Sequence, residues 1–167
     1  MTFVEYQRRA LALAVFPKEL AVPYCALGLI GEIAELSEAV SRDDLTVADN
    51  PEVCAEIGDV TWYCAVLLEY TTPTYWITIH DINKRYRRQE TLIHQMYTCA
   101  GLLANKAKKV IRDGTPVDPH LAAELVTEVY INAVAIAHSF GLSEADVLDA
   151  NIAKLESRAA RGAIQAS

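Results

Sequence analysis

Two short segments of the chain carry carboxylates at helical spacing. The segment GLIGEIAELSEAV places Glu32, Glu35 and Glu38 three residues apart inside an otherwise apolar run. The segment EIGDV places Glu56 and Asp59 three residues apart in the same way. At about 100° per residue, this spacing puts the members of a pair on one side of a helix. Clustered carboxylate oxygens are the ligands that Mg²⁺ and Mn²⁺ prefer.

The apolar residues around these acids indicate which of them turn inward. Glu56 and Asp59 fall within the apolar arc of their helix. Glu32 adjoins the arc of the other helix, Glu35 lies one step further round, and Glu38 is outermost and predicted to be solvated. Placing several carboxylates together inside a bundle is costly unless a cation compensates their charge. The two acid pairs therefore predict a divalent metal site between two helices.

A second set of polar residues lies near the end of the chain. In NIAKLESRAARG, Asn151, Lys154 and Arg158 form an i, i+3, i+7 stripe. One interpretation is a cluster that complements the dipole at a helix end. The other is a clamp for phosphate groups with an amide donor beside it. The pattern leaves both open.

Charge is distributed unevenly along the chain. Residues 28–59 hold nine acids and one base, whereas residues 84–112 hold eight bases and one acid. The two halves form either two solvated faces or a metal-binding half opposite an anion-binding half. Nucleic-acid binding is disfavoured because the acidic half would repel phosphates unless metal ions neutralise it.

The elements that must position these residues are helical almost throughout. Apolar periodicity and capping signals predict all-α structure, and short loops between helices indicate an antiparallel bundle. A length of 167 residues favours one domain. The segment YWITIHDINKRYRRQ is ambiguous between strand and helix. The predicted helices cover residues 2–16, 24–41, 50 to about 71 with Asn50 as N-cap, 90–112, Asp118 to Gly141, and a last one capped by Ser143 with Asp146.

Two negative signals bear on the compartment. No uncharged apolar run approaches the ~18 residues of a membrane span, and the N-terminus lacks the pattern of a secretory signal. The cysteines lie in apolar surroundings without CxxC spacing, as buried thiols in a reducing compartment do. We therefore expect a cytoplasmic protein with no membrane association. The four cysteines are Cys25, Cys54, Cys64 and Cys99.

The sequence also contains a faint internal repeat. YCALGLI recurs as YTCAGLL, and AEIGDVTWYCAV recurs loosely as AELVTEVYINAV, in the same order and at similar separation. This favours a duplicated helical pair, with copy one at about 1–70 and copy two at about 86–162. The fold predicted is an antiparallel helical bundle with a pseudo-duplicated four-helix core and flanking helices.

The segments GLIGEIAEL, EIGDVTWY and GLSEADVLDANIAKLESR resemble the MazG-like, all-α nucleoside triphosphate pyrophosphohydrolases. The resemblance implies hydrolysis of a (deoxy)nucleoside triphosphate to the monophosphate and pyrophosphate, with Mg²⁺ as cofactor and Mn²⁺ as the alternative. It implies that the metal ligands are Glu32, Glu35, Glu56 and Asp59. It implies that the contacts to the phosphates are Asn151, Lys154 and Arg158.

Several features depart from the family pattern. Residues 71–140 intervene between segments that family members join directly, and RAARG replaces the usual aromatic and proline. In copy two, Asn105, Lys108 and Thr127 stand where acids would stand, so that copy is degenerate. We therefore expect one active site per chain, in a monomer with a pseudo-dimeric core or in a homo-oligomer.

The remaining site residues follow from this interpretation. Glu35 or Glu38 would orient or deprotonate the attacking water, and Trp62 or Tyr63 would stack on the base, unless these aromatics belong to the core. The lysines of copy two either approach the triphosphate or form a solvated basic face; they are Lys106, Lys108 and Lys109. The rival function is a nucleotide-sensing or scaffolding module that keeps the site without turnover.

Overall fold

The computed structural model describes residues 1–42, 50–75, 77 and 88–162, and within them six α-helices pack antiparallel in a bundle without strands. A short 3₁₀ helix, Lys18–Leu20, precedes the second of them. The helices are α1 (Phe3–Ala12), α2 (Ala21–Val40), α3 (Asn50–Thr71), α4 (Gln89–Asp113), α5 (Pro119–Ser139) and α6 (Glu144–Ala160). The predicted all-α bundle is confirmed.

Four helices form the centre of the bundle. Helix α2 packs against α3 and α4 against α5, while contacts of α2 with α4 and of α3 with α5 close the core. Leu29, Ile57, Leu103 and Ile136 are buried between these helices, one from each. Helices α1 and α6 both pack on the outer side of α3. This arrangement brings α6, with its polar stripe, beside the helix that carries Glu56 and Asp59.

Local signals fixed several helix ends as predicted. The Asp118 carboxylate accepts the Leu121 N–H at 2.9 Å at the start of α5. Gly141 follows α5 with a φ of 75°, which glycine adopts without strain. Ser143 and Asp146 form the predicted capping box of α6. These contacts satisfy backbone groups that have no partner inside the helix.

Three other predicted ends were wrong. Helix α1 ends at Ala12 rather than at residue 16, and α2 begins at Ala21 rather than at residue 24. Pro23 is tolerated in the first turn of α2 because the first N–H groups of a helix have no partner there. Helix α3 includes Asn50 as its first residue, so Asn50 is not the residue that precedes the helix. Most of the ambiguous segment lies outside the described residues, together with Lys84, Arg85 and Arg87.

Two segments, Lys18–Val40 and Pro119–Ser139, are long and apolar enough to cross a membrane by length and composition. The core helix of a bundle passes the same test, and 72% of the apolar window in the second segment is buried inside this bundle, against 39% in the first. The expectation of no membrane association therefore stays a prediction.

Candidate metal centre and adjoining clefts

Helices α2 and α3 bring three of the predicted ligands together. One carboxylate oxygen of each of Glu32, Glu35 and Glu56 lies within 4.8 Å of the other two. Glu35 is exposed, whereas Glu32 and Glu56 are half-buried. The grouping arises because the helices are antiparallel neighbours and the acids lie on facing turns. We call these three side chains the acid cluster.

The fourth predicted ligand, Asp59, is held by α6. Asn151 Nδ2 donates a hydrogen bond to Asp59 Oδ1 at 3.1 Å. The Lys154 ammonium forms an ion pair with Asp59 Oδ2, and the two side chains are 24% and 21% exposed. Two residues predicted to contact phosphates therefore contact a predicted metal ligand in this structure.

Two residues that the sequence did not single out support this contact. Tyr6 on α1 is fully buried and donates its hydroxyl proton to Asn151 Oδ1 at 2.8 Å. This bond makes Oδ1 the acceptor, so the amide nitrogen faces Asp59. A Cβ at Gly58 would lie 3.0 Å from the Asn151 side chain, so the glycine lets α6 approach α3 closely. One indication of this close approach was present in the sequence, which is the position of Gly58 between Glu56 and Asp59.

Burial and mutual repulsion disturb the carboxyl groups of the acid cluster. Burial, followed by the charges of Asp59, Glu35 and Glu56, raises the pKa of Glu32 to about 7. Burial and neighbouring carboxylates also raise the pKa of Glu56. In both cases the charge of Lys154 acts in the opposite direction. Half-buried carboxylates this close together destabilise each other when all are ionised.

The acid cluster fits a divalent cation in its donor chemistry. The Glu56 Oε2 atom is buried and has no hydrogen-bond partner among the described residues. Mg²⁺ binds oxygen ligands at about 2.1 Å, and the three carboxylate oxygens, all within 4.8 Å of one another, lie close enough to share one ion. A cation would supply the missing partner and offset the repulsion.

The raised pKa of Glu32 predicts a pH dependence of stability in the metal-free protein. The ordinary value is 4.5 and the folded value is about 7, so the folded state binds more protons between these limits. Stability conferred by this group therefore falls as pH rises from about 4.5 through 7. We expect Glu32→Gln to raise the melting temperature at pH 8 in EDTA. We also expect the melting temperature of this variant to decrease less than that of the parent between pH 5.5 and 8. If melting temperature depends on pH in the variant as it does in the parent, ionisation of Glu32 does not destabilise the folded protein.

The acid cluster separates two clefts. The first, of about 220 Å³, is lined by Leu13, Val15, Tyr24, Glu32, Asp59, Trp62, Tyr63, Leu155 and Arg158. The second, of about 670 Å³, is lined by Glu35, Glu38, Ala39, Ser41, Arg42, Glu52 and Glu56. One cleft thus combines aromatic and apolar walls with a guanidinium, while the other is mainly acidic. Both reach carboxylates of the same site.

Close packing shapes the aromatic wall of the first cleft. Trp62 and Tyr63 meet edge to face, with ring centroids 4.9 Å apart. A Cβ at Gly28 on α2 would collide with the Tyr63 ring and lie 2.7 Å from its hydroxyl oxygen. Phe16 stacks on Tyr24 with centroids 5.3 Å apart. Because α1 ends early, the segment that follows it is free to line this cleft.

The three lysines of the predicted second copy lie on α4. Lys106 and Lys108 are exposed and Lys109 is half-buried. Lys108 borders a groove with Pro23 and Ala26 of α2. The linings of the two clefts include none of these lysines. Their approach to a bound triphosphate stays a prediction without a supporting contact.

The cysteines fit their predicted environment with one exception. Cys25, Cys54 and Cys64 are buried, whereas Cys99 is half-buried. Burial raises the pKa of the Cys25 thiol to about 12, so this thiol is unreactive at neutral pH. The predicted cytoplasmic location is not tested by these positions.

Comparisons of this chain with protein-family models, with curated proteins and with solved structures find no match. The case for a function therefore rests on the side chains of the site itself.

Proposed function

We propose that this protein is a Mg²⁺-dependent hydrolase that converts a nucleoside triphosphate, ribo or deoxy, to the monophosphate and pyrophosphate, with Mn²⁺ as an alternative ion. The observation that carries the proposal is the acid cluster with its unpartnered Glu56 oxygen, beside a cleft lined by three aromatic rings and Arg158. A nucleoside triphosphate needs the same combination: a cation for its phosphates and apolar walls for its base.

Each acid would have a defined part. Glu32, Glu35, Glu56 and Asp59 would hold the metal, with Asp59 kept in place by Asn151. The metal, when bound, would neutralise phosphate charge and lower the pKa of a water molecule. The half-buried position of Glu32, Glu56 and Asp59 strengthens their attraction for a cation, because charges interact more strongly away from bulk water.

The two clefts suggest how substrate and water are divided. Arg158 can attract phosphate oxygens through its forked guanidinium, and Trp62 and Tyr63 offer apolar walls for the base. Glu35 and Glu38 line the acidic cleft on the other side. Either carboxylate can accept a proton from a water molecule while the oxygen of that water forms a bond to the α-phosphorus. The bond between the α-phosphorus and the oxygen that joins it to the β-phosphorus then breaks, and pyrophosphate leaves.

One site per chain is the arrangement that the described residues support best. Within them, the acid cluster is the one group of three or more acids, histidines and cysteines close enough to hold an ion. Helices α4 and α5 occupy the corresponding half of the bundle, with Asn105 exposed on α4. We propose that this half completes the bundle without a metal site of its own.

A screen of the eight common ribo- and deoxyribonucleoside triphosphates tests the proposal. We expect at least one to release pyrophosphate with Mg²⁺, and EDTA to stop the release. Binding of metal and nucleotide without release would instead support the sensing or scaffolding function. Absence of both binding and release would overturn the proposal.

A further inference from the structure

Lys154 places a positive charge among the carboxylates of the site. Its ammonium pairs with one oxygen of Asp59, and the other oxygen accepts a hydrogen bond from Asn151. Both partners of the ion pair are mostly shielded from solvent. Both oxygens of the Asp59 carboxylate therefore have a partner on α6, although this carboxylate lies beside three further acids.

Such an arrangement has an electrostatic reason. Four carboxylates in a half-buried site destabilise the fold unless a cation is near. In the described part of the site, Lys154 supplies that cation. A divalent ion bound to Asp59 would compete with the ammonium for the charge of the same carboxylate. Two cations on one carboxylate also repel each other.

We propose that Lys154 is the resident counter-ion of this site, and that a divalent cation displaces it from Asp59. The inference rests on the proposed function, because the displaced ammonium becomes available to the phosphates only in the metal-loaded site. The metal ion would then bind before the nucleotide. The Lys154 ammonium, released from Asp59, would be able to contact the phosphates. Lys154 would thus couple the two binding events, first as the partner of Asp59 and then as a contact of the phosphates.

Removing the charge of Lys154 should strengthen metal binding. Loss of a metal ligand would weaken metal binding, and loss of a lysine without a role would leave it unchanged. Lys154→Met keeps the length of the side chain but removes its charge, so metal no longer competes with an ammonium. We expect Mn²⁺ to bind this variant at least about fivefold more tightly in the absence of nucleotide, allowing for partial solvent screening of the ion pair. Lys154→Arg keeps the charge and should bind Mn²⁺ as the parent does.

Titration of the full-length protein with Mn²⁺, followed by the electron paramagnetic resonance signal of the free ion, measures these affinities. Arg112→Gln removes one positive charge from the exposed end of α4 and serves as the matched control; its affinity should not change. Lys154→Gln provides a second uncharged variant should the methionine variant fold poorly. Melting in EDTA should show a lower midpoint for the uncharged variants, recovered by Mn²⁺.

The outcomes separate the two proposals. If the parent binds Mn²⁺ through Glu56 but the uncharged variants bind no more tightly, the counter-ion inference is overturned and the proposed function stands. If the parent shows no Mn²⁺ binding that Glu56→Gln abolishes, the proposed function is overturned and the inference falls with it. Tighter binding by the uncharged variants, with Lys154→Arg and Arg112→Gln unchanged, supports both.

Discussion

Replacing Glu56 by glutamine is expected to lower the rate of pyrophosphate release at least about a hundredfold, or ~2.7 kcal/mol of transition-state stabilisation. The substitution preserves the shape of the side chain but removes the charge that would hold the metal. It also turns an amide toward Glu32 and Glu35. Steady-state kinetics at saturating Mg²⁺ measure the loss.

Stability separates this effect from unfolding. Burial, followed by repulsion from neighbouring carboxylates, raises the pKa of Glu56, so Glu56→Gln should melt in EDTA at the same temperature as the parent or higher. Glu124→Gln is the matched control, because Glu124 is exposed on α5 in the second helical pair. It should keep activity within about twofold of the parent. Equal losses in both variants would show that the active half is wrongly assigned.

Replacing Gly28 by alanine is expected to destabilise the protein, although alanine is the better helix former. The new methyl group would overlap the Tyr63 ring, and overpacking of this kind costs about 1–3 kcal/mol. For a chain of this size, each kcal/mol lowers the melting temperature by about 2–4 °C. If the ring moves instead, it enters the first cleft and should raise the KM for the nucleotide.

The same helix offers a control for this prediction. A Cβ at Gly31 would meet nothing within 4 Å, so Gly31→Ala should stabilise the protein by roughly 0.5–1 kcal/mol. Combining Gly28→Ala with Tyr63→Leu removes the ring and should recover part of the lost stability. Melting curves of the four proteins decide. Equal stability of the two alanine variants would show that the contact between Gly28 and Tyr63 does not constrain the packing.

The sequence predicted the parts of the fold that local chemistry governs. Caps at Asp118 and Ser143 and the glycine at Gly141 act within one turn, so their residue types suffice to place helix ends. The end of α1 was misplaced because apolar residues continue beyond Ala12. Those residues line the first cleft, as Leu13 and Val15 do. Apolar periodicity alone does not distinguish a side chain that continues a helix from one that lines a cleft.

The site was predictable to the extent that it depends on spacing. Three-residue spacing places Glu32 and Glu35 on one side of α2, and the packing of α3 beside α2 adds Glu56 to them. It could not show that Lys154 pairs with Asp59, because that contact depends on how closely α6 approaches α3 at Gly58. Nor could it show which helix the lysines of α4 face, since this depends on how the two helical pairs are assembled.

The proposed chemistry is tested most directly by ³¹P nuclear magnetic resonance of a nucleoside triphosphate incubated with the purified protein and Mg²⁺. The substrate is the one that the nucleotide screen identifies, and parallel samples contain EDTA or Glu56→Gln. We expect nucleoside monophosphate and pyrophosphate to appear in equal amounts with the parent, and neither in the two parallel samples. Formation of nucleoside diphosphate and orthophosphate, or turnover that persists in EDTA, would contradict the proposal.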